Sequence, residues 1–154
     1  MKHVREVILA VAALALPAVA LAQDARLDCP AGARQVGGQQ SKYEATLCVT
    51  QTGEYNGPYV QHHPNGRLHV QGAYENGFRV GTWQFFDAQG VKTDEIEFKR
   101  GDFHGRKVAF HANGRKKVEE NYVLGRREGQ LRKFDAAGDI VAVEEYRGNV
   151  MVKR

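Results

Sequence analysis

Gly81-Thr82-Trp83-Gln84-Phe85-Phe86-Asp87-Ala88-Gln89-Gly90 decides the fold, because its outline returns further along the chain as Gly105-Arg106-Lys107-Val108-Ala109-Phe110-His111-Ala112-Asn113-Gly114. Self-similarity at a fixed step marks a repeat architecture. Working outward, Gly57, Gly81, Gly105 and Gly129 open four units, and Gly66, Gly90, Gly114 and Gly138 hold the tenth place of each. The eighteenth place is always aromatic: Tyr74, Phe98, Tyr122, Tyr146. The sixth holds His62, Phe86, Phe110 and Phe134. Gly77, Gly101 and Gly125 take the twenty-first, where the last unit has Asn149 beside Gly148, a drift that fits a terminal unit ending the array against water.

Each unit reads as two antiparallel strands. Pro64-Asn65-Gly66, Ala88-Gln89-Gly90, Ala112-Asn113-Gly114 and Ala136-Ala137-Gly138 are turn chemistry, with glycine supplying positive φ. His63, Asp87, His111 and Asp135 stand just before and are assigned to turn support, since Asp can hydrogen-bond back into such a turn. No apolar spacing of three and four follows residue 22. The fold class expected is therefore all-β: four 24-residue hairpins stacked into an elongated, curved open sheet over residues 54–154, after a lead segment at 23–53.

A step of 24 is even, so a column keeps its face from unit to unit. The sixth and eighteenth places share a parity and are predicted to line one buried face with Val60, Leu68, Val70, Ile96, Val108, Val118 and Ile140, although Lys92 and Asp94 also fall there. The opposite parity contains Tyr59, Trp83, Phe85, Lys107, Leu131 and Lys133. Aromatic and basic residues on a polar face have the composition of an interface, so these six are candidate partner-binding residues. The other reading is that Tyr59 and Trp83 pack between adjacent strands.

At the N-terminus, Lys2 and Arg5 precede an uncharged run from Val7 to Ala22, ending in Ala20-Leu21-Ala22. This is the layout of a secretory signal, with cleavage expected before Gln23 and a periplasmic or secreted destination. The run is short of the roughly 20 residues that span a bilayer. Loss of Lys2, Arg5 and Glu6 leaves 20 basic and 17 acidic residues, a net charge of +3 spread among both signs, which argues for a solvated mixed-charge surface and against a nucleic-acid site. Cys29 and Cys48, the only cysteines, are expected to pair on an oxidising export route, where closing the loop contributes about 3 kcal/mol. Cys29 follows Arg26-Leu27-Asp28 rather than the small residues that precede a lipid-anchored cysteine.

Gly72-Ala73-Tyr74-Glu75-Asn76-Gly77, leading to Gly81-Thr82-Trp83-Gln84-Phe85-Phe86 and then Gly90, resembles the variant MORN repeat of bacterial proteins, over roughly residues 54 to 150. The lead segment from Cys29-Pro30-Ala31-Gly32 to Cys48 is similar to that of exported members. The resemblance implies stacked hairpins and roles in protein or membrane interaction; some intracellular relatives are described as antitoxins. Lys107 and Leu131 depart from it, replacing the aromatic of the third place.

Chemistry for an enzyme is not found. Ser41 is the one serine after the leader, with no histidine near it in sequence, and no glycine loop ending in Lys-Ser or Lys-Thr appears. His62, His63 and His69 could approach as metal ligands, but His62 belongs to an aromatic column and His63 to a turn column. Glu119-Glu120 and Glu144-Glu145 point to opposite faces of their strands and form no acid/base pair. Arg115-Lys116-Lys117 and Arg126-Arg127 are candidates for an anionic partner, with solvation as the plainer reading. No cofactor is expected, and the function expected is a non-enzymatic module binding a protein or envelope polymer. Anionic lipid or polysaccharide is the alternative, as is antitoxin-like neutralisation. Unpaired backbone on the end strands gives a route to homodimers.

Overall fold

The structure is a computed structural model in which residues 26–38 and 45–153 are described. The signal expected at residues 1–22, its cleavage before Gln23, and Ser41 lie outside the described residues.

Twelve antiparallel strands form one open sheet: β1 (Ala33–Val36), β2 (Thr46–Thr50), β3 (Tyr55–His62), β4 (Leu68–Glu75), β5 (Phe78–Phe86), β6 (Lys92–Lys99), β7 (Asp102–Phe110), β8 (Lys116–Val123), β9 (Arg126–Arg127), β10 (Gly129–Phe134), β11 (Ile140–Arg147) and β12 (Val150–Lys153). They lie side by side in chain order, except that β9 is a short piece paired to β8 next to β10. The four hairpins are β3–β4, β5–β6, β7–β8 and β10–β11. The lead segment does not stand apart; β1 and β2 extend the same sheet, with Leu47 opposite Tyr59 of the first unit. Cys29 and Cys48 are joined as expected, with Cα atoms 5.6 Å apart. A disulfide in an all-β chain fits an extracellular or otherwise oxidising compartment.

Two kinds of turn alternate along the sheet. Within a unit, a short loop closes by paired backbone bonds such as His63 N–H to Arg67 C=O and Gly66 N–H to His63 C=O, and the register slips by one residue just before it. Between units the turn has two residues, both at positive φ: Asn76-Gly77, Arg100-Gly101, Leu124-Gly125 and Gly148-Asn149. This is the hairpin turn whose twist matches that of its strands. The reversed order in the last unit preserves the geometry, since asparagine tolerates the left-handed region almost as glycine does.

Turn support also takes two forms. Asp87 Oδ1 accepts bonds from Gln89 and Val91 N–H, and Asp135 Oδ1 from Ala137, Gly138 and Asp139 N–H. His63 and His111, in the same column, reach into the following unit instead.

The two buried clusters lie on one face of the sheet, and Val108, 1% exposed, is buried on the other. Val70, Trp83, Ile96 and Phe98 form a buried cluster packed by Tyr59, Tyr74, Phe85 and Phe103. Ala45, Leu47 and Val49 form a second cluster, to which Tyr59 and Tyr55 connect. Removing a side chain of this size from water stabilises by roughly 2–3 kcal/mol. Trp83 has 0% of its surface exposed, and it gains the space from Gly72 on the neighbouring strand. A Cβ at Gly72 would collide with the indole.

This arrangement corrects the expected faces. Trp83 stands opposite Ile96, and Gly81 opposite Phe98. In an antiparallel pair opposed residues share a face, so an odd place on one strand of the hairpin joins an even place on the other. The eighteenth-place aromatics therefore lie with Trp83. The sixth-place residues do not: Phe86 follows Phe85, which packs on the core, and Lys92 Nζ lies 4.7 Å from the ring centroid of Phe110 while bonding Glu95 on the far side. Val60 and Val108 share that far side, opposite Gln71 and Glu95.

Candidate interaction face

Register alone places the six predicted residues together. Tyr59 opposes Gly72, Val70 opposes Phe85, Trp83 opposes Ile96, Ile96 opposes Lys107, Lys107 opposes Glu120, Leu131 opposes Glu144, and Lys133 opposes Ala142. All six lie on the face that carries the core. Trp83 and the 5%-exposed Leu131 are packing residues with no surface to offer, whereas Tyr59, Phe85, Lys107 and Lys133 are half-buried. The reading of this face as a polar exterior is corrected accordingly.

Near the junction turns the face carries a continuous row of rings in edge-to-face contact. Centroid separations are 5.1 Å for Tyr55–Tyr74, 5.1 Å for Tyr74–Trp83, 6.1 Å for Trp83–Phe98, 5.1 Å for Phe98–Phe103 and 5.2 Å for Phe103–Tyr122. Positive edges meet negative faces in such pairs. Two guanidinium groups sit within the row. Arg79 lies 4.6 Å from the Trp83 centroid and 5.5 Å from that of Phe98; Arg127 lies 4.8 Å from Tyr146 and 5.9 Å from Tyr122. These are cation–π distances.

Sequence reading missed Arg79 and Phe103, and took Arg127 as part of a basic cluster rather than of a ring row, although a signal was present. Tyr55, Arg79, Phe103, Arg127 and Met151 follow the same step of 24, and ring alternates with arginine down the first four of them. Each later member faces the eighteenth-place aromatic across its junction turn, as Tyr74 faces Arg79 and Tyr122 faces Arg127. Variation inside the column concealed it.

Toward the C-terminal units the core turns ionic. Glu120, 4% exposed, receives Lys107 Nζ at 3.0 Å, and Arg127 Nε lies 2.7 Å away at an angle that makes an ion pair without a hydrogen bond. Glu144, equally buried, takes Lys133 Nζ at 2.8 Å and the Tyr146 hydroxyl at 2.8 Å. The carboxylates are sunk and the cation heads are nearer to water, so the outer layer of this face is positive.

The opposite face is threaded by amides and carboxylates. Gln71 Nε2 donates to Gln84 Oε1 at 2.6 Å, Gln84 Nε2 to Glu95 Oε2 at 3.1 Å, and Arg106 bridges Glu95 and Glu119. The bonds from Lys92 and Gln84 hold the Glu95 carboxyl below its usual range, against the effect of burial. Beside this ladder an open groove of about 390 Å³ is lined by Pro58, Val60, Ala73, Val80 and Thr82. Of the predicted basic clusters, Lys116 is paired with Glu119, Arg115 binds turn carbonyls of the next unit, and Arg127 belongs to the ring row. His63 and His69 stack at 4.2 Å.

No protein-family profile and no curated protein sequence matches the chain.

Proposed function

We propose that the chain is an exported, non-enzymatic binding module of the variant MORN-repeat kind, which holds a protein or cell-envelope partner against its ring-bearing face. The observation that carries this reading is the row Tyr55, Tyr74, Arg79, Phe103, Arg127 and Tyr146, over which no second layer of described residues is laid. Sheets ordinarily cover such a face with a helix or another sheet. Tyrosine and arginine are enriched at protein contacts, where a rigid ring loses little entropy on binding. Export is supported by the apolar leader and by the disulfide.

The test removes one exposed side chain of this face, Arg79, and one that packs on both buried clusters, Tyr59, so folding is read beside binding. Affinity capture from the native envelope is expected to lose its partner in Arg79→Ala and Tyr59→Ala, with the melting temperature of each variant measured alongside. Capture that survives both substitutions would remove the ring face from consideration.

A second reading has its own support. Arg79 is exposed and makes no ion pair among the described residues, and Lys107 and Lys133 also reach outward, which suits an anionic lipid or polysaccharide. Such binding weakens steeply with salt. Absence of binding to phosphatidylglycerol vesicles or acidic glycans at low ionic strength would rule it out.

A further inference from the structure

The two ends of the sheet differ. At the β1 end, Leu27 N–H bonds the Gln35 side chain of the edge strand, Cys29 is tied to Cys48, and Arg34 is exposed. Short strands, charge and a covering segment are the usual guards against edge pairing. β12 is equally short and ends on Lys153, but no described segment covers Val150, Met151 and Val152. Together with Val141 and Val143 of β11, they are between 41% and 64% exposed. No strand among the described residues pairs with the outer edge of β12.

The backbone of β12 dictates how it can be completed. Arg147 and Val150 flank the two-residue turn Gly148-Asn149 and face each other, so they exchange their own hydrogen bonds. The next residue alternates, which turns the N–H and C=O of Met151 outward, and the register with β11 slips by one residue just beyond it, from Tyr146–Met151 to Glu145–Lys153. We propose that a second copy of this chain pairs there, β12 against β12, antiparallel about a two-fold axis through Met151, giving one sheet continuous across two molecules.

A two-fold contact must be self-complementary. With Met151 opposite its own symmetry mate, Val150 falls opposite Val152 of the second copy, and Val152 opposite Val150. Met151 shares a face with Tyr146, its neighbour on β11, so the thioethers meet between two tyrosine rings. Val150, opposite Arg147, lies on the other face with Val143, which pairs with Arg132. No charged side chain opposes a like charge in this register. Because the β1 end is guarded, growth stops at two copies. The contact touches the ring row only at Tyr146, at its last member, and leaves Arg79 outside, so partner capture and dimer formation can fail separately.

Sedimentation velocity on the full chain is expected to show a monomer–dimer equilibrium across the micromolar range. Met151→Lys sets two ammonium groups opposite each other and is expected to leave only monomer, with unchanged circular dichroism. Met151→Cys, oxidised at a concentration where the dimer is populated, is expected to give a cross-linked dimer, while Phe78→Cys, at an exposed position on the interior strand β5, gives none. A wild type that stays monomeric, a dimer that persists in Met151→Lys, or mass growing beyond two copies would each overturn the proposal.

Discussion

His63 Nε2 lies 2.9 Å from the carbonyl oxygen of Phe86, one unit along the sheet. A carbonyl only accepts, so the ring carries its proton on Nε2. The same clasp recurs two units later between His111 Nε2 and the Phe134 carbonyl, also at 2.9 Å. Asn65 and Asn113 reinforce it by donating to Ala88 and Ala136 at 2.7 and 2.8 Å, and Arg67 and Arg115 by binding the next carbonyl. Asp87 spends its carboxylate on its own turn. The loop edge is thus clasped between the first and second units and between the third and fourth, and the true repeat is a pair of units.

The clasp is testable by loss and by gain. His111→Ala is expected to lower stability by about 1 kcal/mol, the usual net worth of a hydrogen bond. Asp87→His combined with Gln89→Asn and Val91→Arg would install a third clasp onto the third unit, raising the midpoint of thermal unfolding by a few degrees. Hydrogen exchange in the wild type is expected to be faster at the loop edge between the second and third units than at the two clasped seams.

Trp83 and Gly72 form a size-matched pair. Trp83→Ala is expected to cost about 3–5 kcal/mol, as other large core truncations do. Gly72→Ala is expected to be similarly harmful despite adding one methyl group, because the indole occupies its place. Denaturant unfolding of the two variants measures both.

The buried pair of Glu120 and Lys107 favours removal of both partners over one. Glu120→Leu alone is expected to destabilise by about 3 kcal/mol, since it leaves Lys107 and Arg127 without their carboxylate, and Lys107→Met by less, since Arg127 still faces Glu120. The double variant is expected to recover much of that loss. A double-mutant cycle in urea returns the coupling directly.

Stability should depend on pH in two windows. His69 is held below its usual value of 6.5 by burial and by the adjacent His63, so the unfolded chain binds its proton more readily. Its contribution is complete above 6.5 and declines as pH falls through the lower folded value. Glu95, held below 4.5 chiefly by its bond from Lys92, contributes fully above that value and is lost on further acidification. Melting curves from pH 8 to 3 are expected to show both declines, and His69→Phe to flatten the first.

Reduction of Cys29–Cys48 is expected to cost about 3 kcal/mol in the loop-closure account. The first amides to lose protection should be those of β1 and β2, which lie at one end of the sheet.

Some of this protein is determined by sequence alone. A recurrence of 24 with glycine at fixed places permits only repeated hairpins, because glycine's positive φ is needed wherever the chain turns back. Spacing also put Tyr59, Trp83, Phe85, Lys107, Leu131 and Lys133 on one face, since residues two apart on a strand must share it. Whether that face is the packed one was decided by tertiary structure. The pairing of Trp83 with Ile96, and the one-residue slip before each loop, send the aromatics of places six and eighteen to opposite sides. Register is a relation between two strands, set by which side chains fill the space between them, and it is written in neither strand separately.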